Sequence, residues 1–190
     1  MSGSDVLQNK TKQKNQALSA SVFDIFGTLL LALVVVVLVM TFVFRLVVVN
    51  GESMETTFYD GERLILSTSY GTMPSNGDVV VISHAQGYDS QIIKRVIATE
   101  GQSLSINYNT GEVAVDGVLL DEPYITGKTI QTDTNMEIPS VIPEGYVFVM
   151  GDNREASLDS RSRIIGLIPV TSIIGTVKMR IMPVDKFTIF

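Results

Sequence analysis

One long apolar run near the N-terminus constrains this chain more than any other feature of its sequence. Residues Ile25–Phe44 read IFGTLLLALVVVVLVMTFVF and contain no Asp, Glu, Lys or Arg. A helix of about 20 apolar residues spans the hydrocarbon core of a bilayer. A helix in a soluble domain of this size is seldom so uniformly apolar, because one of its faces usually meets water. The run therefore predicts a transmembrane helix.

The residues around this run predict a retained anchor and its orientation. The run is longer than the apolar region of most secretory signal peptides, and no small-x-small cleavage pattern follows it at Val43–Val49. The segment before the run carries three lysines, and cytoplasmic flanks are enriched in Lys and Arg. We expect a cytoplasmic tail at 1–24, a single-pass anchor in the plasma membrane at 25–44 and an extracytoplasmic domain at 45–190.

Composition excludes several functions for the domain that follows the anchor. Ten of the 14 Lys and Arg residues but 18 of the 20 Asp and Glu residues follow Arg45, so the domain is acidic and unsuited to nucleic acid. The absence of cysteine excludes disulfides, thiolate zinc sites and a cysteine nucleophile. The single histidine, His84, is a poor basis for a Ser-His-Asp triad or a metal site. With one histidine and no cysteine we expect no metal site, and since no phosphate-binding glycine motif is present we expect no cofactor.

Short segments rich in Val and Ile, separated by Gly, Asp and Asn, predict a mainly β domain. Asp116-Gly117 lies between two of these segments and predicts a tight hairpin. Asn107–Pro143 is richer in turn residues and indicates a peripheral subregion, and outside the anchor only Pro169–Ile174 has a weak helical pattern. We expect coiled antiparallel sheets, with strands at Leu46–Val49, Arg63–Ser67, Asp78–Ser83, Gln91–Thr99, Val113–Val115, Val118–Leu120, Tyr146–Met150 and Ile173–Met182.

A serine and a lysine could together perform hydrolysis without histidine. Ser53 follows Gly51, which permits close approach of a substrate backbone. In a strand, Lys94 shares a face with aliphatic neighbours while Arg95 points to solvent or to a carboxylate. Burial among apolar side chains lowers the pKa of a lysine, so that its neutral amine can act as a base. The alternative interpretations are a turn serine and an ordinary strand-edge lysine.

A third segment, Gly151–Arg161, concentrates small, polar and charged residues directly after the apolar segment Tyr146–Met150. A solvated loop can have this composition. Taken with the segments around Ser53 and Lys94, however, it belongs to a series of motifs. This series resembles the consecutive motifs of type I signal peptidases, peptidase family S26, in their one-span bacterial form. The series occurs in the family's order and covers essentially the whole chain: Ser53-Met54, Gly77-Asp78-Val79-Val80, Lys94-Arg95-Val96-Ile97-Ala98 with Gly101, and Gly151–Arg161.

The resemblance implies a fold of coiled antiparallel sheets of the signal-peptidase type and a role for each matched residue. Ser53 resembles the nucleophile, and its backbone N–H resembles part of the oxyanion hole. Lys94 resembles the general base. Ser157 resembles the hydroxyl that orients the lysine, and Asp159 and Arg161 resemble an ion pair that holds the Ser157 loop.

The resemblance also implies substrates and partners. The substrate would be a membrane-tethered preprotein that is cleaved after small residues at −1 and −3, bound as an added strand. The lipid bilayer is an expected partner, secretion or pilus-assembly machinery is a further candidate, and nucleic acid is not expected. Five apolar residues near the serine and lysine are candidates for the substrate pockets, with core packing as the alternative: Val49, Met54, Phe58, Ile92 and Ile93.

Four positions depart from the family pattern. Gly51 stands where some members have a hydroxyl donor, and Thr56 stands where proline is usual. Phe58 replaces a leucine and could narrow a pocket, and Gln102 replaces an acidic residue. These departures leave open a peptidase dedicated to a few substrates, or a non-catalytic relative that assists assembly of surface proteins. A self-cleaving regulatory protease is a third reading, which the anchor and the acidic charge disfavour.

Overall fold

The computed structural model of this chain describes residues 23–38, 41, 43–68, 71–85, 88, 90–132 and 134–190. These residues belong to two units, which divide between Val43 and Phe44. In the first unit, residues 23–38 form a helix whose side chains are all exposed. Across the described part of the chain, no helix is both long and apolar enough to cross a membrane.

The structure changes one boundary of the predicted anchor. Phe44, expected to be its last helical residue, is instead the first residue of a β-strand. The cytoplasmic tail predicted at 1–24 lies outside the described residues except for its last two positions, and positions 39, 40 and 42 of the predicted anchor also lie outside them.

The second unit, Phe44–Phe190, is built on a curled antiparallel sheet. Among the described residues the sheet has eight strands, in the order β1-β2-β10-β3-β4-β8-β9 with β11 added beside β10. A smaller sheet has the order β5-β6-β7. The strands are β1 Phe44–Val48, β2 Arg63–Thr68, β3 Val79–Ile82, β4 Ile92–Thr99, β5 Leu104–Asn107, β6 Glu112–Val115, β7 Val118–Leu119, β8 Tyr146–Met150, β9 Ile168–Pro169, β10 Ile173–Met182 and β11 Thr188–Ile189.

The mainly β prediction is confirmed, and every predicted strand overlaps an observed one. The Asp116-Gly117 turn joins β6 to β7 with φ values of 51° and 78°, as a two-residue hairpin with two left-handed residues requires. The weak helical pattern at Pro169–Ile174 corresponds to a single 3₁₀ turn, Val170–Ser172. Strands β5, β9 and β11 were not predicted, because each is short and is defined by its pairing partner rather than by its own sequence pattern.

The subregion predicted as peripheral, Asn107–Pro143, contains most of the smaller sheet and shares a core with β4 and β8. Val113 and Ile142 pack in one buried cluster with Ile97 and Phe148. Thr126 N–H also donates to the carbonyl of Asp152 at 2.8 Å. This subregion therefore packs against the loop that leaves β8.

The register of the main sheet determines which side chains converge. β4 lies between β3 and β8, with Lys94 paired to Val80 and Arg95 paired to Met150. Since β8 ends at Met150, the Gly151–Arg161 segment begins directly beside Lys94 and Arg95. The sheet thus brings the motif that contains Lys94 and the Gly151–Arg161 motif together.

Candidate active site

The structure places the Ser53 hydroxyl and the Lys94 amine in contact. Lys94 Nζ lies 2.7 Å from Ser53 Oγ and 3.0 Å from the carbonyl oxygen of Ile93. The lysine is only 3% exposed, whereas Ser53 is partly exposed. The alternation predicted for this strand therefore holds: Lys94 points inward and Arg95 points to a carboxylate, that of Asp152.

Burial changes the acid–base properties of the lysine. It lowers the pKa of Lys94 from 10.5 to about 8, because few water molecules can solvate the ammonium form. The carboxylates of Asp159 and Asp152 oppose this effect, and the guanidinium of Arg161 adds to it. A substantial fraction of the amine is therefore neutral just above neutral pH, as a general base requires.

The loop that carries Ser53 is held by its own backbone and by a neighbouring loop. Gly51 has φ +88°, which a glycine adopts without strain, and its N–H donates to Asp60 Oδ1 at 2.8 Å. The Asn153 N–H donates to the Ser53 carbonyl at 3.1 Å, and Asn153 Nδ2 donates to the Glu52 carbonyl at 3.2 Å. Within the described residues the Ser53 N–H has no acceptor, so it can donate to a substrate oxygen.

The hydroxyl of Ser157 lies near this pair but does not bond to the lysine. Ser157 is 7% exposed, and its Oγ has no hydrogen-bond partner among the described residues. The prediction of a hydrogen bond between Ser157 and Lys94 is therefore wrong. A Cβ on Gly151 would collide with Ser157 Oγ and with the Ser53 carbonyl oxygen, so the hydroxyl is packed against the strand end. The side chain sits beside the nucleophile loop instead.

Asp159 and Arg161 form a fully buried ion pair, as a support for the Ser157 loop would need. Arg161 Nε and Nη2 lie 2.8 and 2.9 Å from the two carboxylate oxygens. Asp159 also accepts the Gly151 N–H at 3.0 Å, and Arg161 donates to the carbonyl of Arg154 at 2.8 Å. The two side chains therefore tie the start of the loop to its middle and end.

A second ion pair, between Asp152 and Arg95, fixes the start of the same loop. Arg95 Nε and Nη2 lie 2.8 and 2.6 Å from Asp152, and the guanidinium stacks 4.0 Å from the Tyr124 ring centroid. The Thr57 hydroxyl donates at 2.5 Å to Asp152 Oδ2, the same oxygen that accepts from Arg95 Nη2. The contact with Thr57 was not predicted, since nothing in a lone threonine marks it as a partner of a residue 95 positions away.

Arg154 is fixed by a partner that the sequence did not reveal. It is 1% exposed and forms an ion pair with Glu122, and it also donates to Thr129 at 2.7 Å. Glu122 lies in the subregion that packs against the β8 loop. No local sequence pattern relates Arg154 to this partner, which lies 32 positions earlier in the chain.

A cavity of about 390 Å³ opens over the Ser53–Lys94 pair. Four of the five predicted pocket residues line it, while Phe58 does not. Phe58 is fully buried, and its ring lies 4.9 Å from that of Phe190, so the structure places it in the core. The lining residues are Val49, Asn50, Gly51, Glu52, Ser53, Met54, Tyr88, Ser90, Gln91, Ile92, Ile93, Lys94, Ala156, Leu158 and Ile165.

A curled antiparallel β domain with a serine hydroxyl and a buried amine at the floor of a cavity has the groups of a serine hydrolase that works without histidine. The model of the family described as signal peptidase, peptidase S26, matches residues 22–182. The chain therefore belongs to the signal peptidase family S26.

The relatives that this chain resembles extend over most of its length. It is 30% identical to "Signal peptidase I" of Bacillus licheniformis, over 93% of this chain and 97% of the relative. It is 37% identical to "Probable signal peptidase I-1" of Synechocystis sp., over 84% of this chain and 82% of the relative. A solved signal peptidase I of Enterococcus faecalis matches 55% of this chain and 97% of its own chain, with 23% identity and a TM-score of 0.45.

Proposed function

We propose that this chain is a membrane-anchored serine endopeptidase that removes N-terminal signal peptides from exported preproteins. The observation that carries the proposal is the 2.7 Å contact between Lys94 Nζ and Ser53 Oγ, with the lysine buried. The names of the relatives, signal peptidase I, support the same reaction.

Ser53 and Lys94 perform the reaction in two stages. Neutral Lys94 accepts the proton of the Ser53 hydroxyl as Oγ attacks the scissile carbonyl. The Ser53 N–H donates to the developing oxyanion. Lys94 then protonates the leaving amine, and the C–N bond breaks to leave an acyl ester on Ser53. A water molecule that gives its proton to Lys94 hydrolyses this ester and restores the hydroxyl.

The cavity supports a preference for small side chains before the cleavage site. Val49, Met54, Ile92 and Ile93 offer apolar walls close to the nucleophile. Since Phe58 packs in the core, its replacement of leucine does not narrow this cavity. An extended preprotein segment would lie across the opening, with alternate side chains entering it.

The membrane anchor of this proposal is the apolar run that begins at Ile25 and ends before Phe44. No charged residue interrupts it, and its described helix, at 23–38, exposes every side chain. The three lysines that precede it favour a cytoplasmic N-terminus, so the β domain would lie on the extracytoplasmic face of the plasma membrane. Cleavage would then occur where a preprotein emerges, and secretion or pilus-assembly machinery remains a candidate partner.

The test is cleavage of a purified preprotein by the full chain in detergent, with N-terminal sequencing of the product. We expect Ser53→Ala and Lys94→Arg to abolish cleavage, the latter because a guanidinium is not deprotonated in this pH range. Ser105→Ala is the matched control, because Ser105 is an exposed serine of the smaller sheet that does not line this cavity, so its removal should leave cleavage intact.

A serine-directed acylating inhibitor provides the second measurement. Its adduct should map to Ser53 by mass spectrometry in the wild-type chain and should be absent from Ser53→Ala. Cleavage that survives Ser53→Ala would refute the mechanism. Preprotein binding without cleavage or adduct would instead identify a non-catalytic assembly factor.

A further inference from the structure

Arg180, on β10, joins two segments that are far apart in sequence. Its Nη1 donates to the Thr57 carbonyl at 2.9 Å and pairs with Glu62 Oε2 at 2.9 Å. Its Nε donates to the Lys186 carbonyl at 2.8 Å, and its Nη2 donates to Thr188 Oγ1 at 3.2 Å. One guanidinium thus links the turn that follows Ser53 to the segment that follows β10.

Two aromatic rings cover this guanidinium. The Phe58 and Phe190 ring centroids lie 5.8 and 6.0 Å from its central carbon and 4.9 Å from each other. The Phe190 N–H donates to the Lys178 carbonyl at 2.9 Å, which fixes the segment on β10. The 183–190 segment therefore packs, through Phe190, against Phe58 at the end of the turn that follows Ser53. This segment follows the last residue matched by the family model.

Thr57 is the point where two ion pairs meet. Its carbonyl accepts from Arg180, and its hydroxyl donates to Asp152, the partner of Arg95. The next N–H, that of Phe58, donates to the Met54 carbonyl at 2.8 Å. A displacement of Thr57 is therefore transmitted to Met54, the residue after Ser53, through one turn of hydrogen-bonded backbone.

We propose that Arg180, covered by Phe190, is a positioning residue that holds the Ser53 turn through the Thr57 carbonyl. The proposal rests on the proposed function of Ser53. Arg180 touches neither Ser53 nor Lys94, so it acts on the distance between their reacting atoms. A misplacement of about 1 Å can lower the rate of an enzymatic reaction about 100-fold, so a smaller shift is sufficient for a measurable effect.

Glu62 makes it possible to separate positioning from simple destabilisation. Glu62 is 3% exposed, and its Oε1 has no hydrogen-bond partner among the described residues. Replacing Arg180 alone leaves a buried carboxylate without its cation, which lowers the stability of the fold. Arg180→Met combined with Glu62→Gln removes that charge but does not restore the donor to Thr57.

The experiment measures the single-turnover rate of Ser53 acylation, kcat and KM for the full chain in detergent, well below the melting temperature of each variant. We expect Arg180→Met and Phe190→Ala to lower the acylation rate and kcat about ten-fold, with KM changed less than about two-fold. Phe190→Tyr, which retains the aromatic ring, should keep most of the wild-type acylation rate. The double variant should recover the melting temperature but not the rate.

Two controls identify effects of charge and of general destabilisation. Lys178→Gln removes a positive charge from the same strand, and Val113→Ala opens a cavity in a core cluster that contains neither Thr57 nor Phe58. Both should acylate at the wild-type rate, and Val113→Ala should do so despite a lower melting temperature.

Recovery of the rate in the double variant, or a wild-type rate in Arg180→Met, would overturn the proposal and leave Arg180 with a structural role alone. An effect on KM without one on kcat would also overturn it. A wild-type chain that neither cleaves nor acylates would instead refute the proposed function. That result differs from every outcome that overturns the role of Arg180, since in those outcomes the wild-type chain is active.

Discussion

The Lys94 amine must be neutral to accept the Ser53 proton, so its pKa sets the pH at which acylation becomes fast. Burial lowers that pKa from 10.5 to about 8. At pH 7 about one lysine in ten is then neutral, whereas an unperturbed lysine would be neutral in only about one molecule in 3,000. The difference corresponds to about 3 kcal/mol of free energy favouring the neutral amine.

The sign of the pH dependence follows from this shift. Below pH 8 the amine is protonated, and the acylation rate should fall about tenfold for each further pH unit. Above about pH 9 the amine is almost entirely neutral, and the rate should reach a plateau. The assay is single-turnover cleavage of a fluorogenic preprotein peptide between pH 6 and 10, at constant ionic strength.

A matched variant assigns the inflection to the lysine. His84 is exposed and is the single histidine of the chain, so its replacement serves as the comparison. His84→Gln should leave the inflection near pH 8. A rate independent of pH, an inflection near 10.5, or loss of the inflection in His84→Gln would refute the reasoning that a buried Lys94 is the base.

Three further substitutions test the surroundings of the pair. Gly151→Ala should lower cleavage at least about 100-fold, because the added Cβ would displace the Ser53 carbonyl and the Ser157 hydroxyl; unchanged cleavage would contradict this packing. Asp152→Asn should lower the free energy of unfolding by about 3 kcal/mol in chemical denaturation, because it leaves Arg95 without its counter-ion, and a loss below about 1 kcal/mol would argue against the pair. Ser157→Ala should change that free energy by less than about 1 kcal/mol and should leave kcat close to the wild-type value, because its hydroxyl has no hydrogen bond to lose; a clearly lower kcat would contradict this.

Local sequence patterns were sufficient for the strands that carry the motifs. Lys94 and Arg95 alternate within a Val- and Ile-rich segment, and this alternation alone assigns them to opposite faces of β4. The Asp116-Gly117 pair likewise determines its hairpin, because few other residue pairs accept two positive φ values. In both cases the information lies within a few residues, so no distant partner is needed.

The same patterns did not decide what each side chain meets. Phe58 was a candidate pocket residue, but Phe190, 132 positions later, packs against it and places it in the core. Ser157 was expected to bond Lys94, but the path of its loop over Gly151 leaves its hydroxyl beside the Ser53 carbonyl. Whether a side chain is buried, and which residue it contacts, depends on segments far away in the sequence. The spacing of residues along the chain does not indicate which distant segments will meet.

The sequence by itself determined the mainly β fold, the acidic charge, the absence of thiols and the order of the motifs that resemble signal peptidases. Only the tertiary structure brings Ser53 within 2.7 Å of Lys94, 41 positions away, and buries the amine enough to lower its pKa to about 8. The physical reason is that strand formation depends on neighbouring residues, whereas desolvation and hydrogen-bond geometry depend on every segment that packs around the group.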